Sequence, residues 1–252
     1  MPEISREEAT EIFRRGFGRA LIQEALRVSS AIYWGVPVPG RAPRVRNSGT
    51  VVFVDAGQGI FAITARHVIE GYRQNKLADH ALVCYIAGSR YDPIEHIIAE
   101  DVAHDLVSLS ITRAELDGFG RGFHTIPGAW PPTPPQQGRG VFFGGFRGQD
   151  REEELDRLGF GFSGGVGTAT AVTADRVTIQ FERQHWVCTD LMPGPVPNGP
   201  WGGASGGPVF ALVQNRVMSW RLAGIISEFS ESFEILIAHG LLSLLPDGRL
   251  RA

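Results

Sequence analysis

The chain has 252 residues, 43% of them hydrophobic and 20% charged, which suits a globular protein with one large domain or two small ones. Its net charge of -3 and pI near 6.2 exclude a strongly basic surface, so we expect neither nucleic acid nor an anionic membrane as a partner. The 32 glycines and 16 prolines predict many turns and favour short strands over long helices.

The cysteines and the N-terminal residues indicate the compartment. Only Cys84 and Cys188 are present, and we expect both to be buried thiols in a reducing environment. Charged side chains interrupt the first thirty residues, so no signal-peptide core is formed, and no stretch approaches the length of a membrane span. These features predict a cytoplasmic protein without a membrane partner.

Residues 5–33 are predicted to form a helix, which with a connector makes up residues 1–44. Ser5 and Glu8 have the spacing of a capping box. One apolar stripe recurs at steps of three or four residues: Phe13, Phe17, Leu21, Ala25, Val28 and Ile32. Because amphipathic helices usually bury their apolar face, we expect this helix to pack on the main body, and docking of a regulatory protein is the alternative.

Short β-rich runs separated by turn residues fill the rest of the chain. They lie at 50–54, 61–64, 81–86, 106–111, 140–144, 167–173, 176–181, 208–213, 222–227 and 233–238. The Pro-rich stretch at 127–138 cannot join a sheet interior, so we interpret it as a linker between two halves at 45–126 and 139–252. This spacing predicts barrels or a sandwich. Residues 240–245 are predicted to form a short C-terminal helix.

Three short segments contain residue types that act together in nucleophilic catalysis. His67 ends an apolar strand that passes through Thr64, Asp105 opens the apolar strand Leu106–Leu109, and Ser205 is embedded in Gly202-Gly-Ala-Ser-Gly-Gly-Pro208. Each segment alone is weak evidence, because short motifs match by accident. Together they occur once, in the order His, Asp, Ser, with the Pro-rich stretch between the Asp and the Ser.

The chemistry explains why these residue types belong together. A serine hydroxyl is a weak nucleophile at neutral pH and needs a base within hydrogen-bond reach, which a histidine supplies. An aspartate fixes the imidazole tautomer and stabilises the imidazolium that forms. The glycines around Ser205 allow the backbone N–H groups of Gly203 and Ser205 to converge on a developing oxyanion.

These motifs resemble those of the trypsin-like serine peptidases. Thr64-Ala-Arg-His67 is similar to their Thr-Ala-x-His, Asp105-Leu-Val-Ser-Leu to their Asp-[Ile/Leu]-Ala-Leu-Leu, and Gly203-Ala-Ser205-Gly-Gly-Pro to their Gly-[Asp/Asn]-Ser-Gly-Gly-Pro. The resemblance covers about residues 45–245 and is nearest in style to the bacterial HtrA/Deg branch, since Val rather than Cys follows His67. It implies an all-β fold of two antiparallel six-stranded barrels, with the active site between them.

The resemblance also assigns site residues. It implies His67, Asp105 and Ser205 as the catalytic triad, and Gly203 and Ser205 as the oxyanion hole. Ala223-Gly-Ile-Ile-Ser227 resembles the strand that lines the substrate cleft, so Ser227 would bond Asp105, and Ser227, Glu228 and Phe229 would present backbone to an extended peptide. Gly199 would form the uncharged floor of the specificity pocket.

Departures from the family pattern and alternatives to it remain. Ala204 replaces the Asp that receives a new N-terminus in zymogen-activated relatives, and Arg66 stands where a small residue is usual. Asp101 and His104 compete for the acid and base roles. The function predicted is peptide hydrolysis without cofactor or metal; the alternatives are hydrolysis of other acyl compounds and a peptidase-like module that binds peptides or partner proteins. His185 and Cys188 are too few for a metal site.

Overall fold

The computed structural model describes residues 6–126, 130–180, 199–214 and 218–251. Its all-β class and its two-sheet, chymotrypsin-like arrangement confirm the expected fold. In the described residues fourteen strands form one eight-stranded sheet and one closed six-stranded barrel. Four short α-helices accompany them: α1 Arg6–Ile12, α2 Gly18–Arg27, α3 Arg66–Ala78 and α4 Arg113–Gly118.

The first sheet holds six longer strands and two strands of two residues. Its bounds are β1 Ser29–Val38, β2 Arg41–Asp55, β3 Ile60–Ala65, β4 Val83–Ile86, β5 Ser89–Arg90, β6 Ile97–Asp101, β7 Leu106–Ser110 and β8 His124–Thr125. The order is β5-β4-β1-β2-β3-β7-β6, and β8 pairs with β2. The two strands beyond the expected six are therefore β5 and β8, which extend the sheet by only two residues each.

The second sheet closes into the expected six-stranded barrel. Its strands are β9 Gly140–Glu153, β10 Leu158–Val172, β11 Arg176–Gln180, β12 Pro208–Gln214, β13 Met218–Ser230 and β14 Ile235–His239. They close in the order β10-β11-β14-β13-β12-β9. One apolar cluster joins this barrel to the first sheet, with Val52, Ile63 and Leu106 on one side and Phe142 and Phe210 on the other. This shared core fixes the two halves against each other.

The prediction of one helix over residues 5–33 is wrong at its C-terminal end. The helical segment ends at Arg27, and Ser29–Val38 is strand β1, so the first sheet begins inside the stretch assigned to the helix and connector. A π-helical turn at Phe13–Phe17 separates α1 from α2, and Gly16 has a φ of +116° there. The expected docking is present, since Leu21, Ala25 and Val28 are fully buried in the shared core. The Ser5 cap lies outside the described residues.

The C-terminal helix predicted at 240–245 is also wrong. These residues form turns, and Leu244 makes an isolated antiparallel bridge with Leu250. Pro246 and Gly248 allow the chain to reverse, with Gly248 at a φ of +84°, and a helix is not continued through such a sequence. In the Pro-rich stretch, residues 127–129 lie outside the described residues, and residues 130–138 contain no strand.

Candidate active site

The N-terminus of helix α3 positions His67. Strand β3 ends at Ala65, and the backbone N–H groups of Arg66 and His67 donate to the carbonyl oxygen and to Oδ1 of Asp105, at 2.8 and 2.9 Å. The first N–H groups of a helix have no partner within it, so Asp105, the residue directly before strand β7, caps α3. The other carboxylate oxygen, Oδ2, lies 2.7 Å from His67 Nδ1.

This contact determines which imidazole nitrogen remains available. An ionised carboxylate only accepts hydrogen bonds, so His67 donates from Nδ1 and leaves Nε2 as the acceptor. The imidazole is half exposed, whereas Asp105 retains only 23% of its side-chain exposure. The His67 imidazole is therefore open to solvent on one side and held by a sheltered carboxylate on the other.

Asp105 is held in an uncommon conformation and is charged. Its φ is +51°, a left-handed conformation that Asp adopts more readily than most residues. Burial acts to raise the pKa of this carboxyl, but hydrogen bonds from His67 and Ser227 outweigh burial and hold the pKa below its ordinary value. Asp105 is therefore ionised at neutral pH.

Ser227 joins the acid to the second barrel. Strand β13 carries a β-bulge between Ile226 and Glu228 in its pairing with β14, and Ser227 is the residue inserted there. Bulges redirect a side chain from the regular alternation of a strand. The Ser227 hydroxyl donates to Oδ2 of Asp105 at 2.7 Å, as the resemblance implied.

The loop that carries Ser205 lies across the seam between the two halves. The Ser205 carbonyl accepts the N–H of Thr50 in β2 at 2.8 Å, and the Ser205 hydroxyl donates to the carbonyl of Ser227 at 3.3 Å. Ser205 therefore lies beside the residue that bonds Asp105. Among the described residues no hydrogen bond joins Ser205 to His67, and such bonds are often long before a substrate tightens them.

The backbone N–H groups of Gly203 and Ser205 have no acceptor among the described residues. The Gly202 carbonyl accepts from Gly148 at 2.8 Å, and the Ala204 carbonyl accepts from Gly207 at 2.9 Å. The carbonyl and N–H of a trans peptide point in opposite directions, so the N–H groups of Gly203 and Ser205 point away from these scaffold contacts. The φ of Gly203 is +94°, which favours glycine at this position.

Thr50 supports the Ser205 loop, and the sequence analysis missed it. Its hydroxyl donates to the Gly203 carbonyl at 2.8 Å and accepts the Phe146 N–H at 2.9 Å, and the Thr64 hydroxyl donates to its carbonyl at 2.6 Å. Thr50 and Thr64 are both fully buried. The only signal in the sequence is a polar residue at a buried position of each apolar strand.

The expected substrate-binding residues differ in their surroundings. Glu228 is exposed, whereas the ring of Phe229 lies 5.8 Å from that of Trp201, a buried residue four positions before Ser205. Gly199 has a φ of +94°, and the Gln149 side chain occupies the space that a Cβ there would need. Trp201 was missed, although a single Trp within Gly199-Pro-Trp-Gly202 is a visible signal.

The competing pair Asp101 and His104 forms a separate contact. His104 Nδ1 lies 2.7 Å from Oδ2 of Asp101, whose Oδ1 also accepts the N–H groups of Ala103 and His104. Burial acts to raise the pKa of Asp101, but hydrogen bonds from the side chain and backbone of His104 help to lower it. Asp101 and His104 are thus occupied with each other in the turn before Asp105.

Arg66 is held beside His67 by an ion network. It lies 3.6 Å from Glu100 of β6 and 3.8 Å from Glu70 of α3, and Arg73 pairs with both carboxylates. The arginine that departs from the family pattern therefore ties α3 to the sheet.

Burial raises the pKa of the Cys84 thiol far above its ordinary value, so this residue is an unreactive core thiol.

The described ranges hold no cluster of three or more His, Cys, Asp or Glu side chains arranged to bind a metal. No helix among them is both long and apolar enough to span a bilayer. His185 and Cys188, weighed as metal ligands from the sequence, lie outside the described residues.

Comparison with known proteins identifies the relatives of the chain. Residues 47–218 match the model of the trypsin-like peptidase domain. Among solved structures, one reported under the heading "Aromatic interactions drive the coupled folding and binding of the intrinsically disordered Sesbania mosaic virus VPg protein" aligns with 13% identity and a TM-score of 0.46, over 84% of this chain and 85% of that one. No curated protein matches the chain.

Proposed function

Because the chain belongs to the family of trypsin-like peptidase domains, we propose that it is a serine endopeptidase in which His67, Asp105 and Ser205 form the catalytic triad. The observation that carries the proposal is the 2.7 Å contact between His67 Nδ1 and Asp105 Oδ2. The Ser227 hydroxyl donates to the same carboxylate oxygen, and the Ser205 hydroxyl donates to the Ser227 carbonyl. These contacts support the roles of Ser205 as nucleophile, His67 as base and Asp105 as orienting acid, with residues from both halves of the molecule.

In the first half-reaction Ser205 Oγ attacks the carbonyl carbon of the substrate. His67 Nε2 takes the hydroxyl proton, and ionised Asp105 stabilises the imidazolium that forms. The carbonyl oxygen becomes an oxyanion, for which the N–H groups of Gly203 and Ser205 are the donors. When the C–N bond breaks, His67 returns the proton to the leaving amine and an acyl group remains on Ser205.

The second half-reaction uses the same groups with water. His67 takes a proton from water, the hydroxide attacks the acyl carbon, and the proton returns to Ser205 as the C–O bond breaks. Asp105 keeps its charge throughout, since its lowered pKa lies well below neutrality. Segment 227–229 is the proposed binding edge for an extended peptide, and Gly199 the floor of the pocket for one side chain.

A binding module is the second candidate. In the described residues the Ser205 hydroxyl donates to a carbonyl rather than to His67, and this favours a resting state that needs a substrate or partner to become active. Hydrolysis of esters or other acyl compounds would use the same groups. We also propose a cytoplasmic location, which rests on the two cysteines. A regulatory partner of the N-terminal helix would bind its exposed face, because the described apolar residues of the helix are largely buried in the core.

Labelling with a fluorophosphonate probe tests the proposal. The probe traps a serine only when a base activates it, so we expect stoichiometric labelling of Ser205 in the full-length chain. Ser205→Ala should not be labelled, whereas Ser219→Ala, which changes an exposed serine of β13, is the control that keeps the triad. Absence of labelling in the native chain, with or without peptides present, would support the binding module instead.

A further inference from the structure

Residues 147–150 of strand β9 lie along the segment that carries the specificity pocket. Their pairing with β10 is irregular, because the register shifts between Phe160 and Phe162, so their contacts rather than strand alternation place their side chains. The Gln149 side chain lies against Gly199, and the Arg147 guanidinium lies over the indole of Trp201, with Cζ 5.6 Å from the ring centroid. Between them, Gly148 donates to the Gly202 carbonyl at 2.8 Å. Arg147 therefore lies within the walls of the proposed pocket.

Asp150 holds the guanidinium of Arg147 in one orientation. Nε and Nη2 of Arg147 each donate to a different oxygen of Asp150 at 2.7 Å, and the Ser163 hydroxyl donates to the same carboxylate at 2.7 Å. Such a bidentate pair fixes the plane and direction of the guanidinium. Trp201 covers one face of it.

The third nitrogen of Arg147 has no partner. Arg147 is only 3% exposed, and its Nη1 is buried without a hydrogen-bond acceptor among the described residues. Leaving the donor of a buried charged group unpaired is unfavourable, and an acceptor supplied by a bound ligand would relieve that cost. The site therefore presents a pre-oriented cationic donor that lacks an acceptor.

We propose that Arg147 selects substrates with a carboxylate side chain on the residue whose carbonyl Ser205 attacks. The proposal rests on the peptidase function argued above. A carboxylate supplies the acceptor oxygen that Nη1 lacks, and its methylene groups suit the aromatic walls of Trp201 and Phe229. The negative charge of Glu228 opposes this choice weakly, because Glu228 is exposed and screened by salt.

The test compares three peptides that differ only at this residue, which is Glu, Gln or Met. We expect kcat/KM to fall in the order Glu, Gln, Met, since the amide oxygen of Gln accepts without a charge. Arg147→Gln should reduce the Glu-to-Met ratio by about 10- to 100-fold, the value of one hydrogen bond to a charged group. The ratio is measured within one preparation, so partial misfolding of a variant cancels.

Two further variants separate recognition from structural support. Arg151→Gln changes the same residue type four positions along β9, where Arg151 pairs with Glu153 at 2.7 Å, and should leave the ratio unchanged. Asp150→Asn removes the counter-charge of Arg147, so it should raise the Glu-to-Gln ratio. A purely structural role for Arg147 predicts no change of ratio in any variant.

A preference for Met, or a ratio that survives Arg147→Gln, would overturn this assignment while Ser205 still reacts with the fluorophosphonate probe. Loss of probe labelling in the native chain would instead contradict the peptidase function itself.

Discussion

Replacing Thr50 by Val removes the hydroxyl that holds the Ser205 loop and keeps the side-chain shape. The change leaves the Phe146 N–H and the Gly203 carbonyl without their partner. An unsatisfied buried polar group costs about 1–3 kcal/mol. Phe146 is buried, whereas Gly203 is half-buried, so water can donate a hydrogen bond to the Gly203 carbonyl in place of Thr50. We therefore expect the free energy of unfolding to fall by about 2–4 kcal/mol.

Urea unfolding at neutral pH measures this loss, and probe labelling measures the effect on the site. We expect Thr50→Val to slow labelling as well, because the Gly203–Ala204 peptide lies between the two peptides that carry the proposed oxyanion donors, and freeing its carbonyl allows them to shift. Thr170→Val is the matched control, since its hydroxyl donates to the Thr178 carbonyl at 3.3 Å on the exposed surface. A Thr50→Val chain as stable as Thr170→Val would refute the account of the loop.

Three other predictions concern the triad acid, the Glu24 carboxylate of helix α2 and activation of the chain. Asp105→Asn should slow peptide hydrolysis by about 10⁴-fold through the wrong imidazole tautomer, whereas Asp101→Asn should leave it nearly unchanged; the opposite pattern would move the triad acid to Asp101. Burial acts to raise the pKa of Glu24, but hydrogen bonds from His124 and Arg27 lower it from 4.5 to about 2. A lowered folded pKa means stability that is complete above pH 4.5 and lost as pH falls toward 2, so Glu24→Gln should flatten an acid-unfolding curve in that window. Finally, Ala204 offers no carboxylate to a buried ammonium, so the uncleaved chain should react with the probe, and a strict need for cleavage would contradict this.

The sequence nominates His67, Asp105 and Ser205 because the three motifs occur together in one order, although each motif alone is weak evidence. His67, Asp105 and Ser205 come from three separate segments, and β3, β7 and the loop before β12 bring them together. The sequence also placed Ser227, whose contact with Asp105 depends on a bulge that no local pattern indicates. Their catalytic roles stay predictions until activity is measured.

Strand β1 shows why the first helix was extended too far. Ala31 and Tyr33 pack in one apolar cluster, and Ile32 and Trp34 pack in another. A strand buried on both faces has no alternation of apolar and polar residues, so Ile32 extended the helical stripe by chance. In a short apolar segment of this kind, the periodicity of apolar residues alone cannot distinguish a helix from a strand that is buried on both faces.

Arg147 and Thr50 were missed for a different reason. Their roles depend on partners far along the chain, such as Trp201 for Arg147 and Gly203 for Thr50. Helix α3 was also missed, because its first N–H groups are capped by Asp105 rather than by a residue before it in sequence. Tertiary contacts of this kind leave no signature within a local window.

Hydrolysis of a peptide by Ser205→Ala, His67→Ala and the double variant tests the triad most directly. If the residues act as one unit, each single change should lower kcat by about 10⁶-fold, and the double change should cost no more than either alone. Native-like hydrolysis by Ser205→Ala, or losses that multiply in the double variant, would contradict a triad of His67, Asp105 and Ser205.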